Sequence, residues 1–200
     1  DTVGFSVPEE YGQLIRRMVT VLGNSAVVSV HCHDDLGLAV ANSIAAVQAG
    51  ARQIECTVNG IGERAGNASL EEIVMAFRTR PDRLPFETKI VSEHIYSASQ
   101  LLSQTITFGP QPNNAIVGEN AFAHEAGIHQ DGYLKEKSTY EIIDPKSVGG
   151  PEANLIPGKH SGRQALKYRT KHPGFSLRPS ALDEAYRRLP TFPARRTANA

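Results

Sequence analysis

Apolar residues recur at three- and four-residue steps between Pro8 and Leu22, at Tyr11, Leu14, Ile15, Met18 and Val19, and Pro8-Glu9-Glu10 places a proline and two acids in a first turn. The spacing predicts an amphipathic helix over 8–22. A short apolar run, Ala26-Val27-Val28-Ser29-Val30, predicts a strand over 26–31. An alanine-rich stretch from about Leu38 to Ala49, stopped by Gly50, predicts a second helix, and residues 52–58 a second strand. A third helix is expected from Ser69 to Phe77, with Glu71 and Glu72 near its start. Strand, helix, strand, helix in this rhythm is the pattern of parallel βα units, so the fold class is α/β.

Past Arg78 the texture changes. Thr79-Arg80-Pro81-Asp82-Arg83-Leu84-Pro85 is rich in breakers, and a helical stretch follows over about 91–105, which sets a boundary near residue 90. Further helices are expected over about 164–171 and 179–189, and the end of the chain, 190–200, is read as a frayed tail.

Composition narrows the class without naming a function. With 200 residues, 40% hydrophobic and 21% charged, and a formal net charge of zero, the chain reads as an ordinary globular protein without a basic nucleic-acid surface. No apolar stretch is long enough for a membrane helix, so a cytoplasmic location is the default reading. The chain opens at Asp1 without a Met, so upstream sequence is expected and an organellar leader stays open. Cys32 and Cys56 each fall in an expected strand, as buried structural thiols do.

The candidate chemistry begins with His31 and His33. Alternate residues of a strand share a face, so both imidazoles point one way and Cys32 the other. Such a pair is a metal-ligand arrangement, although strand-end histidines also serve as structural hydrogen-bonding residues. A second polar cluster, Asn59-Gly60-Ile61-Gly62-Glu63-Arg64-Ala65-Gly66-Asn67, follows the next strand. In parallel βα barrels catalytic groups gather at such strand ends. Gly60, Gly62 and Gly66 suit tight turning and close backbone approach better than phosphate binding, because no full dinucleotide fingerprint is present.

The segments from His31 to Ser43 and from Asn59 to Glu72 resemble the last two strand ends of the 2-isopropylmalate synthase barrel, within the wider group of acyl-CoA condensing and lyase barrels. Downstream, Ala121 to Gly132, Thr139-Tyr140-Glu141-Ile142 and Gly158 to Arg163 resemble the subdomain after that barrel, and less closely that of homocitrate synthases. The resemblance implies the C-terminal part of a (β/α)8 TIM barrel over 1–90, then a mainly helical linker subdomain over 91–189.

It also implies residue roles. His31, His33 and Asn67 would hold a divalent metal, Mn²⁺, Mg²⁺ or Zn²⁺, with Glu63 and Arg64 supporting them. Thr2 matches the family's contact to the substrate carboxylate. His129 matches a catalytic histidine lent by the partner of a homodimer, and Tyr140 a tyrosine of the same neighbourhood. His124 and His160 are read as structural. The implied reaction condenses acetyl-CoA with 2-oxoisovalerate, the first committed step of leucine biosynthesis. The family's aspartate ligand belongs to a strand absent from this sequence, so these residues alone are expected to bind metal weakly and not to turn over. Homocitrate or citramalate synthase is the rival within the enzyme class. A non-catalytic remnant or subunit-interaction module is the rival outside it.

Overall fold

A computed structural model describes residues 1–124, 142–151, 154–155 and 178–188. The chain divides into two compact units, Asp1–Ala121 with Lys146–Gly150, and Phe122–Pro145 with Pro151–Ala200.

The first unit carries the βα rhythm. Helix α1 spans Pro8–Leu22, with Pro8 in its first turn and Gly23, at φ 56°, closing it through a hydrogen bond to the Val19 carbonyl. Strand β1 is Ser29–His31, helix α2 is Ala39–Gln48, strand β2 is Gln53–Glu55 and helix α3 is Leu70–Thr79. The strands pair in parallel with Ser29 opposite Gln53, Val30 opposite Ile54 and His31 opposite Glu55. Gly50 adopts φ 118° just past α2, where a side chain would strike Val19, so it stops the helix as expected.

One face of β1 makes the core. Val28, Val30 and Cys32 point into a cluster with Tyr11 and Ile15 of α1, Ala46 and Val47 of α2, and Ile73 and Phe77 of α3. Ser29 and His31 alternate onto the opposite, exposed face. The apolar face expected of α1 divides. Tyr11 and Ile15 are buried and Val19 and Leu22 pack against the cluster, whereas Leu14 and Met18 are exposed, because the covered side is the one that meets α2.

Both strands are shorter than their apolar runs. The second run leaves the strand after Glu55 and closes into a 3₁₀ turn, Val58–Gly60, because Asn59 takes a left-handed conformation, φ 60° and ψ 14°. The stretch expected to be helical from residue 91 begins as a 3₁₀ turn, Ser92–His94, and continues as helix α4, Ile95–Thr105.

The boundary expected near residue 90 is not where the compact units divide. Residues 91–121 belong to the first unit, and 146–150 return to it. The buried Ser92 hydroxyl joins the pieces, receiving a hydrogen bond from Arg78 and donating to the Ser147 carbonyl at 2.6 Å, beside the fully buried Val148.

In the second unit, strands β3, Ala123–His124, and β4, Asn154–Leu155, pair in parallel, and helix α5 spans Pro179–Arg188. Glu184 forms ion pairs along α5 with Arg187 and Arg188. The expected helix over 164–171 and the tail 190–200 lie outside the described residues. No helix among the described residues is long and apolar enough to cross a membrane.

Candidate metal centre

The exposed face of β1 presents the histidine pair. The His31 and His33 rings lie 4.9 Å apart between centroids, and Cys32 between them is fully buried on the other face. On the side of β1 away from β2, the Asp1 amino group donates to the His31 carbonyl at 2.8 Å and the Asp1 carbonyl accepts from the His33 amide at 3.3 Å, the pattern of a parallel ladder.

Each imidazole has an outer partner on Nδ1. The His33 Nδ1 lies 3.1 Å from the Asp1 carbonyl, and a carbonyl only accepts, so this contact calls for a proton on Nδ1 and leaves Nε2 as the outward ring nitrogen. The His31 Nδ1 lies 3.5 Å from a Glu55 carboxylate oxygen, whose second oxygen accepts from the Ser29 hydroxyl at 2.9 Å. This is the arrangement in which outer carboxylates and carbonyls orient metal-binding imidazoles.

Asn67 meets His33 across an antiparallel bridge. Its backbone amide donates to the Gly60 carbonyl at 2.9 Å and its side-chain Nδ2 donates to the Ile61 carbonyl at 3.1 Å. Because that carbonyl requires a donor, the amide orientation is settled and Oδ1 faces the other way. Oδ1 is buried and has no hydrogen-bond partner among the described residues. A buried amide oxygen left unpaired is costly, and coordination to a cation satisfies it. Among the described residues no group of three or more His, Cys, Asp and Glu side chains forms a cage. The donor set is two imidazoles and one amide oxygen, which fits a divalent cation with further positions filled by carboxylate, substrate or water.

Two glycines let this loop close. A side chain at Gly66, at φ 99°, would collide with the Gly60 carbonyl, and one at Gly62 would collide with the Asn67 amide. The close backbone approach expected of the glycines is what the loop requires.

Glu63 and Arg64 differ in their hold. The Glu63 carboxylate is exposed, 3.6 Å from Arg64 in an ion pair. Arg64 reaches Asp35 with Nε at 2.7 Å and Nη2 at 2.9 Å, and Nη2 also donates to the Thr2 carbonyl at 3.1 Å. The hydrogen bond from Arg64, reinforced by its charge, holds the Asp35 carboxyl below its ordinary range. Asp34 instead accepts from the Ala39 amide at 2.9 Å at the start of α2. Thr2 is exposed in a turn just beyond the residue that pairs with β1.

His129 and Tyr140, expected in the same site, lie outside the described residues. Sequence reasoning passed over Glu55 and Asp35. The alternation of β2 puts Glu55 on the open face, but only the pairing register sets it opposite His31. Cys32 and Cys56 are both free thiols. Burial, and next the charge of Glu71, push the Cys56 thiol up, as suits a structural role.

A family model described as HMGL-like matches residues 1–102, which include the whole of this centre. The chain belongs to the HMGL-like family. Its βα units are accordingly those of an α/β barrel, and a second model, described as homocitrate synthase post-HMGL domain-like, matches residues 116–197. This HMGL-like chain is 60% identical over 188 residues to a 2-isopropylmalate synthase of Carboxydothermus hydrogenoformans, covering 93% of the chain and 37% of that relative. It is 58% identical over 191 residues to a 2-isopropylmalate synthase of Dictyoglomus turgidum, covering 94% of the chain and 38% of the relative. The chain thus spans little more than a third of the length of these curated relatives. A solved HMG-CoA lyase from Bacillus subtilis is 23% identical with a TM-score of 0.47, covering 57% of this chain and 38% of its own.

Proposed function

We propose that the protein to which these residues belong is a 2-isopropylmalate synthase, joining the methyl carbon of acetyl-CoA to the keto carbon of 2-oxoisovalerate in leucine biosynthesis. The observation that carries the reading is the 58–60% identity, across nearly the whole chain, to relatives bearing that name. The donor set of His31, His33 and Asn67 supports it, because a 2-oxo acid is an acceptor that a divalent cation can orient and polarise.

In this reading His31 and His33 offer Nε2 while Glu55 and the Asp1 carbonyl hold the rings, and Asn67 offers Oδ1. A bound Mn²⁺, Mg²⁺ or Zn²⁺ supplies Lewis acidity toward the keto oxygen of the acceptor. By the family resemblance His129 would take a proton from the acetyl methyl group; the resulting enolate carbon would attack the keto carbon, the carbonyl electron pair would move onto its oxygen, and that oxygen would take up a proton to become the hydroxyl, with Tyr140 assigned to the same step. Water then cleaves the thioester, releasing CoA and leaving the new carboxylate. Thr2 contacts the acceptor carboxylate, and Arg64 steadies the loop that carries Asn67. We assign the catalytic strand ends to a barrel portion over 1–90 and the following residues, 91–189, to a mainly helical linker subdomain whose first part, 91–121, shares a compact unit with the barrel portion. The enzyme is a cytoplasmic homodimer, and the roles of His129 and Tyr140 rest on the family resemblance.

The test is an assay of the full-length gene product with 2-oxoisovalerate, 2-oxoglutarate and pyruvate as competing acceptors. Preferred condensation with 2-oxoisovalerate is expected. Equal or better use of 2-oxoglutarate or pyruvate would instead assign homocitrate or citramalate synthase, and no condensation with any acceptor would leave a non-catalytic module.

A further inference from the structure

Among the described residues Glu71 is the largest of the fully buried side chains, only 1% exposed, in the first turn of α3. A carboxylate is costly to bury, and Val74 and Met75, three and four residues on and likewise buried, show that apolar residues fill this helix face readily. It sits in the N-terminal turn of α3 and accepts one hydrogen bond, from the Asn59 backbone amide to Oε2 at 3.1 Å. The other oxygen, Oε1, has no hydrogen-bond partner among the described residues.

Asn59 is where the chain reverses. It adopts φ 60° and Gly60 follows at φ 63°, two left-handed residues in succession, a conformation that an Asn side chain tolerates but that still needs an external hold. The turn aims two carbonyls at Asn67: Gly60 receives its backbone amide at 2.9 Å and Ile61 receives its Nδ2 at 3.1 Å. Those two bonds leave Oδ1 as the free atom of the amide.

We propose that Glu71 is a positioning residue for the metal ligand Asn67, acting through the Asn59–Gly60 turn. The proposal rests on the metal reading of His31, His33 and Asn67. The Thr57 hydroxyl donates to the Ile61 carbonyl at 2.7 Å and keeps that end of the turn; without an acceptor at Glu71 the turn loses the bond that holds its first left-handed residue, the Gly60 carbonyl shifts, and the Asn67 oxygen loses its aim. Ionic charge is secondary here, since the task of Glu71 is to accept one backbone hydrogen bond.

The test is Mn²⁺ titration of the full-length gene product, followed by the electron paramagnetic resonance signal of free Mn²⁺. Glu71→Ala is expected to weaken binding by about tenfold or more, the scale of lost outer-partner support. Glu71→Gln, whose amide oxygen can accept the same bond, is expected to bind near the wild-type level. Unchanged binding in Glu71→Ala, or equal loss in Glu71→Gln, overturns the proposal, because a residue that merely stabilised the fold would show no rescue specific to the acceptor. Should Glu71→Ala not fold, Glu71→Asp takes its place: it draws the carboxylate back by one methylene and is expected to lose affinity likewise, and wild-type binding there overturns the proposal. His33→Ala separates the two readings. If it binds Mn²⁺ as tightly as wild type, the metal reading fails; if it loses the ion while Glu71→Ala keeps it, only the positioning role falls.

Discussion

Arg64 grips Asp35 with Nε and Nη2 at 2.7 and 2.9 Å, and this fork ties the loop after β2 to the loop after β1. The same guanidinium holds the Thr2 carbonyl at 3.1 Å, so one side chain gathers three segments beside the histidine pair. Arg64 keeps a left-handed backbone, φ 55°, which a residue with a β-carbon adopts only when its surroundings hold it there.

A lysine cannot reproduce a two-pronged grip. In the full-length gene product Arg64→Lys is therefore expected to lower kcat/KM for the proposed condensation by about tenfold or more, the scale of lost outer support of a metal site. Its melting temperature should change little, because the pair is open to solvent. Unaltered kinetics in a folded Arg64→Lys protein would show that the loops keep their relation without the fork.

Gly62 stands against the Asn67 amide, with the Cγ atom 2.8 Å from where a β-carbon would sit. Gly62→Ala should push that amide away from the Ile61 carbonyl and weaken Mn²⁺ binding out of proportion to any loss of stability. Mn²⁺ titration and thermal melting, measured on the same protein, check this. A variant that melts early yet binds Mn²⁺ normally would contradict it.

Glu72 carries a pH prediction. Burial first, then the charges of Glu71 and Asp34, raise its carboxyl above the ordinary 4.5. The folded state thus binds this proton more tightly than the unfolded chain does, so the ionised carboxylate opposes folding above the raised value. As pH falls through the raised value toward 4.5 that opposition disappears. Glu72→Gln is expected to raise the melting temperature at pH 7 and to bring no advantage at about pH 4, below the unfolded value. Melting curves across that range decide it; an equal gain at both ends would exclude ionisation as the cause.

The core makes a contrasting prediction. Ile73, 4% exposed on α3, packs against the face of β1 opposite His31. Ile73→Ala should cost about 2–5 kcal/mol of folding stability by urea denaturation, with Mn²⁺ affinity retained in the folded protein. A cost well below 1 kcal/mol would show that the cluster collapses around the lost methyl groups.

Much of the barrel portion was legible without coordinates because its signals are local. Pro8 and the acids beside it start α1 where expected, Gly50 stops α2, and a period of two puts His31 and His33 opposite Cys32. Strand ends were less legible. A strand lasts only as long as it has a partner: past Glu55 the second run loses β1, and Thr57, still extended, bridges to Ser69 before the left-handed Asn59 turns the chain. His129 and Tyr140 stay with the sequence reading, since they lie outside the described residues.

The sequence by itself determined which residue types stand at the strand ends: two imidazoles on one face, an asparagine after the next strand, and glycines where the loop must close. Tertiary structure decided what each atom does. Register set Glu55 opposite His31, the turn at Asn59 carried the Ile61 carbonyl to one side of the Asn67 amide and left Oδ1 free, and Arg64 found Asp35 rather than Asp34. The physical reason is that periodicity and capping act within a few residues, whereas a hydrogen-bond partner 26 or 29 positions away is chosen only when the strands have paired and the loops have closed.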